Sequence, residues 1–288
     1  MDEFKKKLKE SPGIRFFIYV AALLICTLIG GVVAYDGVGN DINRLKIGQA
    51  ISSLLIFAGP PLILYAITRK QPLRSLGFRK PNTGWMFLVG LVLMFISLPV
   101  TNQLGTWNEN MNFGGLFQKM EEILKGLENT ASDITQQMLA VDTFGGLLVN
   151  LLVIALIPAI GEELTFRGVL QQSLVRGCKN HNMGIILTAA IFSFIHFQFY
   201  GFLPRMFLGI ILGYLFYYSG SLWVSILMHF INNGTAVLIA YLQHKGIVDV
   251  DYEHFGSTSS VWLVVLSLVL TVGLIILCNK MSKKYGRE

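Results

Sequence analysis

Eight apolar runs, each close to the length a helix needs to cross a bilayer, succeed one another along this 288-residue chain, at 16–35, 47–68, 85–102, 143–174, 184–199, 202–219, 222–242 and 261–278. About 20 predominantly apolar residues span the hydrocarbon core as a helix. Inside lipid the backbone must satisfy its own hydrogen bonds, and a continuous apolar run does that only as a helix. Charged residues make up 14% of the chain against 53% hydrophobic, too little charge to solvate a globular surface of this size. The expected fold is therefore an all-α integral membrane protein, a bundle of about eight transmembrane helices.

The basic residues set the expected orientation. Lys5, Lys6, Lys7, Lys9 and Arg15 precede the first run, and Arg69, Lys70, Arg74, Arg79 and Lys80 lie between the second and third. Arg176 and Lys179 follow the fourth, and Lys280, Lys283, Lys284 and Arg287 end the chain. The alternate loops carry acids: Asp36 and Asp41, then Glu109, Glu121, Glu122, Glu128 and Asp133, then Asp249, Asp251 and Glu253. Short Lys/Arg-rich loops stay cytoplasmic, so both termini are expected inside. The net charge of +6 then reflects topology, and without a basic stripe interleaved with aromatics no nucleic-acid partner is expected. Cys26, Cys178 and Cys278 are scattered and offer neither a disulfide framework nor metal-ligand spacing. The first run follows a basic segment, but its length and the lack of a small-residue cleavage site mark a retained span rather than a signal peptide.

No linker or repeat divides the chain, which is expected to form a single membrane domain over residues 1–288. The largest loop, 104–142, is extracytoplasmic in this topology. Phe117, Met120, Ile123, Leu124 and Leu127 recur in it at helical spacing, predicting an amphipathic helix on the membrane surface. Gly209 and Gly213, one turn apart in the sixth run, allow close helix approach. Gly59-Pro60-Pro61 is expected to kink the second.

Ionisable groups inside the apolar runs are expensive and are usually kept for a function. Glu162, Glu163 and Arg167 fall in the fourth run, His196 in the fifth, and His229 with Asn233 in the seventh. Residues four apart share a helix face, so Glu163 can pair with Arg167, while Glu162 points about 100° away and stays available for a proton. The same spacing sets Phe192 beneath His196 and Asn233 beside His229. A plain alternative is that each polar group only staples helices together. The number and compatible depth of these groups favour a shared site in the cytoplasmic half of the bilayer. A Glu beside a His in a low-dielectric pocket can hold a water and take its proton, and a second His with an Asn can donate to the oxyanion of a tetrahedral intermediate.

Glu162-Glu163-Leu164-Thr165-Phe166-Arg167, Phe192-Ser193-Phe194-Ile195-His196 and His229-Phe230-Ile231-Asn232-Asn233 resemble the E-E-x-x-x-R, F-x-x-x-H and H-x-x-x-N motifs of the CPBP (Abi) family, which includes the CAAX prenyl proteases and bacterial relatives linked to bacteriocin immunity. The resemblance covers residues 144–242. It implies an intramembrane endopeptidase in which Glu162 and His196 activate water and His229 and Asn233 stabilise the oxyanion. Glu163, Arg167 and Phe192 are supporting residues in that reading. It also implies an all-helical bundle with a cavity open to cytoplasm and bilayer, a membrane-associated peptide or protein as substrate, and a multi-pass location in a bacterial plasma membrane.

Zinc is the one cofactor in question. Glu162, His196 and His229 could supply three ligands and leave a position open, but the chain has no H-E-x-x-H, and a metal-free Glu/His mechanism is slightly preferred. Other intramembrane protease chemistries fit poorly: Tyr217-Tyr218-Ser219-Gly220 lacks the first glycine of G-x-S-G, and Gly37-Val38-Gly39 is followed by Asn40 rather than the Asp of G-x-G-D. Two other classes of function compete, a non-catalytic immunity or scaffold protein and a proton-coupled transporter using Glu162 and the histidines as a relay.

Overall fold

The computed structural model describes residues 11–36, 41–112 and 118–285. The expectations that rest on Lys5, Lys6, Lys7, Lys9 and Arg287, on the Gly37 to Asn40 segment and on Phe117 lie outside them. Among the described residues the regular structure is entirely helical, as expected. In chain order the helices are α1 Pro12–Asp36, α2 Ile42–Thr68, α3 Pro72–Leu76, α4 Trp85–Ile96, α5 Leu98–Glu109, α6 Gln118–Leu139, α7 Phe144–Cys178, α8 His181–Phe194, α9 Phe202–Ser219, α10 Leu222–His244 and α11 Val261–Tyr285. Six of these are long and apolar enough to cross a membrane; α4 and α5, bent by 43°, make a seventh span if taken together, and α8 is a shorter apolar helix. The molecule is a multi-pass membrane protein. Its outermost helices, α1 and α11, present Phe17, Leu28, Val32, Val261 and Trp262 almost fully exposed, as a surface in contact with acyl chains must.

Three features differ from expectation, each for a physical reason. The third span does not end at residue 102: after Ser97 the helix bends and continues to Glu109, with the Thr106 hydroxyl and the Asn110 amide donating to carbonyls one turn back. The outer loop is correspondingly shorter, and most of it is α6. The fifth span stops at Phe194 rather than 199, because Phe197 takes a left-handed φ of 53° and reverses the chain. Fourteen residues at about 1.5 Å each give roughly 21 Å, short of the ~30 Å hydrocarbon core. The irregular backbone from Ile195 to Gly201 therefore sits at membrane depth, where non-helical chain is tolerated only if it is buried in protein or lines a cavity. Asn108 clamps it, donating to Phe199 O (2.9 Å) and accepting from Leu203 N (2.6 Å). Glu128 of α6 accepts from Tyr200 N at 3.1 Å.

The third difference is in α2. Gly59-Pro60-Pro61 does not break the helix; a π-helical turn at Leu54–Ala58 widens it just ahead of the prolines. Pro61 has no N–H to give the carbonyl four residues back, that of Phe57. The Thr165 hydroxyl of α7 donates to it instead, at 2.5 Å. Gly161 brings the two helices together there, since a Cβ on it would lie 3.1 Å from the Phe57 side chain. The proline pair thus docks α2 beside the two glutamates.

The amphipathic stretch of the outer loop is helical as α6 and turns its apolar face outward. Met120, Ile123 and Leu127 are exposed, whereas Glu121 is buried and pairs with Lys125 at 2.8 Å.

The small-residue face of α9 carries more than packing. Gly209 approaches Ala189 of α8 so closely that a Cβ would sit 3.0 Å from the alanine methyl. Its carbonyl, and that of Gly213 one turn on, accept from Arg167 (3.0 Å) and Gln171 (2.9 Å) of α7. Gly209→Leu should lower stability in detergent by roughly 2 kcal/mol or more, because the side chain has to force α8 and α9 apart. A thermal unfolding midpoint equal to that of the unsubstituted protein would show the contact to be slack.

Candidate active site

The site is assembled on α7, where Pro158 and two π-helical stretches, Leu151–Leu156 and Leu164–Gln171, flank the glutamates. Such widened turns recur at functional sites because they re-aim side chains that a regular helix would stack. Glu163 and Arg167 pair as their spacing predicts, Nη1 to Oε1 at 2.6 Å, with both side chains wholly buried. The guanidinium's second nitrogen reaches Gly209 O, and its plane lies 5.1 Å from the Phe192 ring centre. Glu162 points elsewhere and keeps 12% of its side chain exposed. Of the two acids it is the one a water molecule can reach.

His229 joins the pair from α10. Its Nδ1 lies 3.0 Å from Glu163 Oε1 and its Nε2 3.7 Å from Glu162 Oε2. Glu163 is thus more than an ion-pair partner, because one of its oxygens also orients an imidazole across a helix interface. His229, rather than His196, is the ring within ion-pair distance of Glu162. His196 sits at the end of α8 with Nδ1 2.8 Å from the Phe192 carbonyl. A carbonyl can only accept, so Nδ1 carries the proton and Nε2 is left as an acceptor.

Phe192 links the parts. Its ring meets His196 edge-on at 5.1 Å, His229 at 6.1 Å and Phe166 at 5.0 Å, and it is the ring on which Arg167 stacks. Asn233 lies one turn from His229 on α10, and its Oδ1 accepts from Asn232 at 3.1 Å. That bond leaves the Asn233 NH2 group free to donate. The structure therefore brings Glu162, Glu163, Arg167, His229 and Phe192 into one cluster, attaches His196 through Phe192, and places Asn233 beside it by helix position.

Both nitrogens of His229 face carboxylates and His196 Nδ1 is held by a carbonyl. Among the described residues no three His, Cys, Asp or Glu side chains are grouped to hold a metal ion.

One residue that sequence reasoning passed over lies in the surroundings. Arg205, in the first turn of α9, is held by Gln198, its Nη1 donating to the Gln198 carbonyl at 3.3 Å and its Nη2 to Oε1 at 3.0 Å. A cation four residues into an apolar run was the available signal.

Fold and site together define a polytopic all-α membrane protein with a buried carboxylate–imidazole cluster at the meeting of α7, α8 and α10. Residues 144–235 match the family described as Type II CAAX prenyl endopeptidase Rce1-like, which bears out the resemblance to the CAAX protease branch over that segment. The matched stretch begins at the first residue of α7 and ends just beyond Asn233, so it contains every motif residue and leaves α1 to α6 and α11 outside. No curated protein and no solved structure matches the chain.

Proposed function

We propose that this protein is an intramembrane endopeptidase of CAAX protease type, hydrolysing a peptide bond of a membrane-associated substrate with water activated by Glu162 and His196. The observation that carries the reading is the division of labour in the glutamate pair: Glu163 is sealed against Arg167 and His229, while Glu162 is left with an accessible edge. Glu162 takes one proton of the water while the unprotonated Nε2 of His196 accepts a hydrogen bond from the O–H that remains, so that the oxygen lone pair attacks the scissile carbonyl carbon. The carbonyl π electrons move to oxygen, and the oxyanion is met by the Asn233 amide and by His229, whose ring Glu163 holds in place. Collapse of the intermediate breaks the C–N bond, and Glu162 returns its proton to the leaving amine.

In the proposed topology both termini are cytoplasmic, following the basic loops, in what is a plasma membrane of bacterial type. Purified protein in proteoliposomes, given a lipid-anchored peptide, should release a shorter peptide. His196→Ala should slow that release by about a hundredfold or more while leaving thermal stability nearly unchanged, as expected for loss of the acceptor that orients the attacking water. Undiminished cleavage by this variant would remove His196 from the mechanism. Absence of cleavage by the unsubstituted protein, together with a resistance phenotype that survives the substitution, would favour an immunity or scaffold role.

A further inference from the structure

Asn232-Asn233-Gly234 is an unfavourable run for the middle of a helix, because asparagine side chains compete for backbone hydrogen bonds and glycine loses the most backbone freedom. Even so, α10 continues through it to His244, inside a span long and apolar enough to cross the membrane. At that depth a side-chain amide has to find its partners within the protein. Here the two amides meet each other, Asn232 Nδ2 donating to Asn233 Oδ1 at 3.1 Å. Consecutive residues of a helix point about 100° apart and do not ordinarily face one another, so this bond needs both side chains to lean together.

Nothing else holds either amide. Among the described residues neither Asn232 nor Asn233 has a second hydrogen-bond partner. Asn232 is half-buried and lines a cavity of about 150 Å³ between the bend of α4 and α5, the flank of α10 and the 252–255 turn, with Phe95, Thr101, Thr235 and Phe255 around it. The donors of that wall are engaged elsewhere. The Thr101 and Thr235 hydroxyls donate to carbonyls one turn back, at 2.9 and 2.7 Å, and the Asn102 amide donates to Leu98 O and Phe255 O, both at 3.0 Å. Asn232 therefore stands beside a cavity, and its one bond in the protein goes to Asn233.

Building on the endopeptidase reading, we infer that Asn232 is a positioning residue that fixes which end of the Asn233 amide meets the reacting carbonyl. A primary amide turned by 180° keeps its shape and exchanges an NH2 donor for a C=O acceptor. In one orientation Asn233 stabilises an oxyanion, and in the other it sets a lone pair against it. The bond from Asn232 occupies Oδ1 and so selects the first. Asn233 is then aimed from the flank of its own helix, on the side of the cavity, while His229 is aimed across a helix interface by Glu163.

The test uses a lipid-anchored peptide in phosphatidylcholine vesicles. Asn232→Leu keeps the size of the side chain and removes the donor, and should lower kcat roughly ten- to a hundredfold, the upper figure being near the loss of one oxyanion donor. KM should stay nearly unchanged, because the interaction belongs to the transition state. Asn232→Gln keeps an NH2 group and has the cavity to take its extra methylene, so it should recover most of kcat. In an Asn233→Ala background Asn232→Leu should cost nothing further, since no amide is left to orient. A rise in KM in place of the fall in kcat, or Asn232→Gln as slow as Asn232→Leu, would overturn the inference. So would an undiminished effect of Asn232→Leu in the Asn233→Ala background, which would mark Asn232 as a support of the helix. Equilibrium binding of the corresponding phosphinate peptide, whose P–O⁻ stands in for the oxyanion, needs no turnover and should weaken in Asn232→Leu alongside kcat. Tight phosphinate binding that ignores the substitution would sink the positioning role alone. A protein that neither cleaves the peptide nor binds its phosphinate loses the endopeptidase reading, and this role with it.

Discussion

Glu162→Gln should yield a folded, membrane-inserted protein whose cleavage of a lipid-anchored peptide falls by at least about a thousandfold, the upper part of the range for loss of a general base. The amide has the size of the carboxylate and can keep its place 3.7 Å from His229 Nε2, but it cannot take a proton from water. Stability should change little, because Glu162 lies outside the Glu163–Arg167 pair and replacing a buried carboxylate by a neutral isostere removes a desolvation cost. The measurement is a steady-state cleavage assay alongside thermal unfolding of the same preparation. Activity within tenfold of the unsubstituted protein would remove Glu162 from the chemistry. A loss of activity accompanied by unfolding would recast it as a support.

That this experiment can be designed from two adjacent residues shows where the sequence was readable and where it was not. Spacing alone separates Glu162 from Glu163, since pairing of the latter with Arg167 is a property of one helix and survives even its π-helical winding. Contacts between helices carry no such local signature. The bond from His229 to Glu163 joins residues 66 apart in sequence, and nothing in either motif says which glutamate the imidazole will choose. The end of α8 was missed because helix-terminating left-handed positions are normally glycine or asparagine, and this one is Phe197. The prolines of α2 announced a disturbance, but the donor that repairs it, Thr165, sits on another helix. Arg205 was visible as a charge and silent as to role, because its neighbours Gln198, Gly201 and Glu128 are gathered by a turn that periodicity places inside a helix.

Arg167→Ala should destabilise the bundle by roughly 3–5 kcal/mol, the cost of leaving a buried charge without its partner. That exceeds the 1–2 kcal/mol of an ordinary interhelical hydrogen bond in a membrane protein, because three things are lost together. Glu163 stays wholly buried with only the His229 ring left to meet it, Gly209 O loses its donor, and the face of Phe192 loses the cation stacked on it. Reversible unfolding in mixed micelles should show the shift, and stability within about 1 kcal/mol of the unsubstituted protein would mean that the pair contributes little. Removing both partners together, as Glu163→Leu with Arg167→Met, should recover much of the stability, since no buried charge is then left alone. It should not recover activity, because His229 Nδ1 has then lost the oxygen that orients the ring. Stability and cleavage would part company in that variant, which is the behaviour expected of a residue that supports the site through an imidazole rather than through the fold alone.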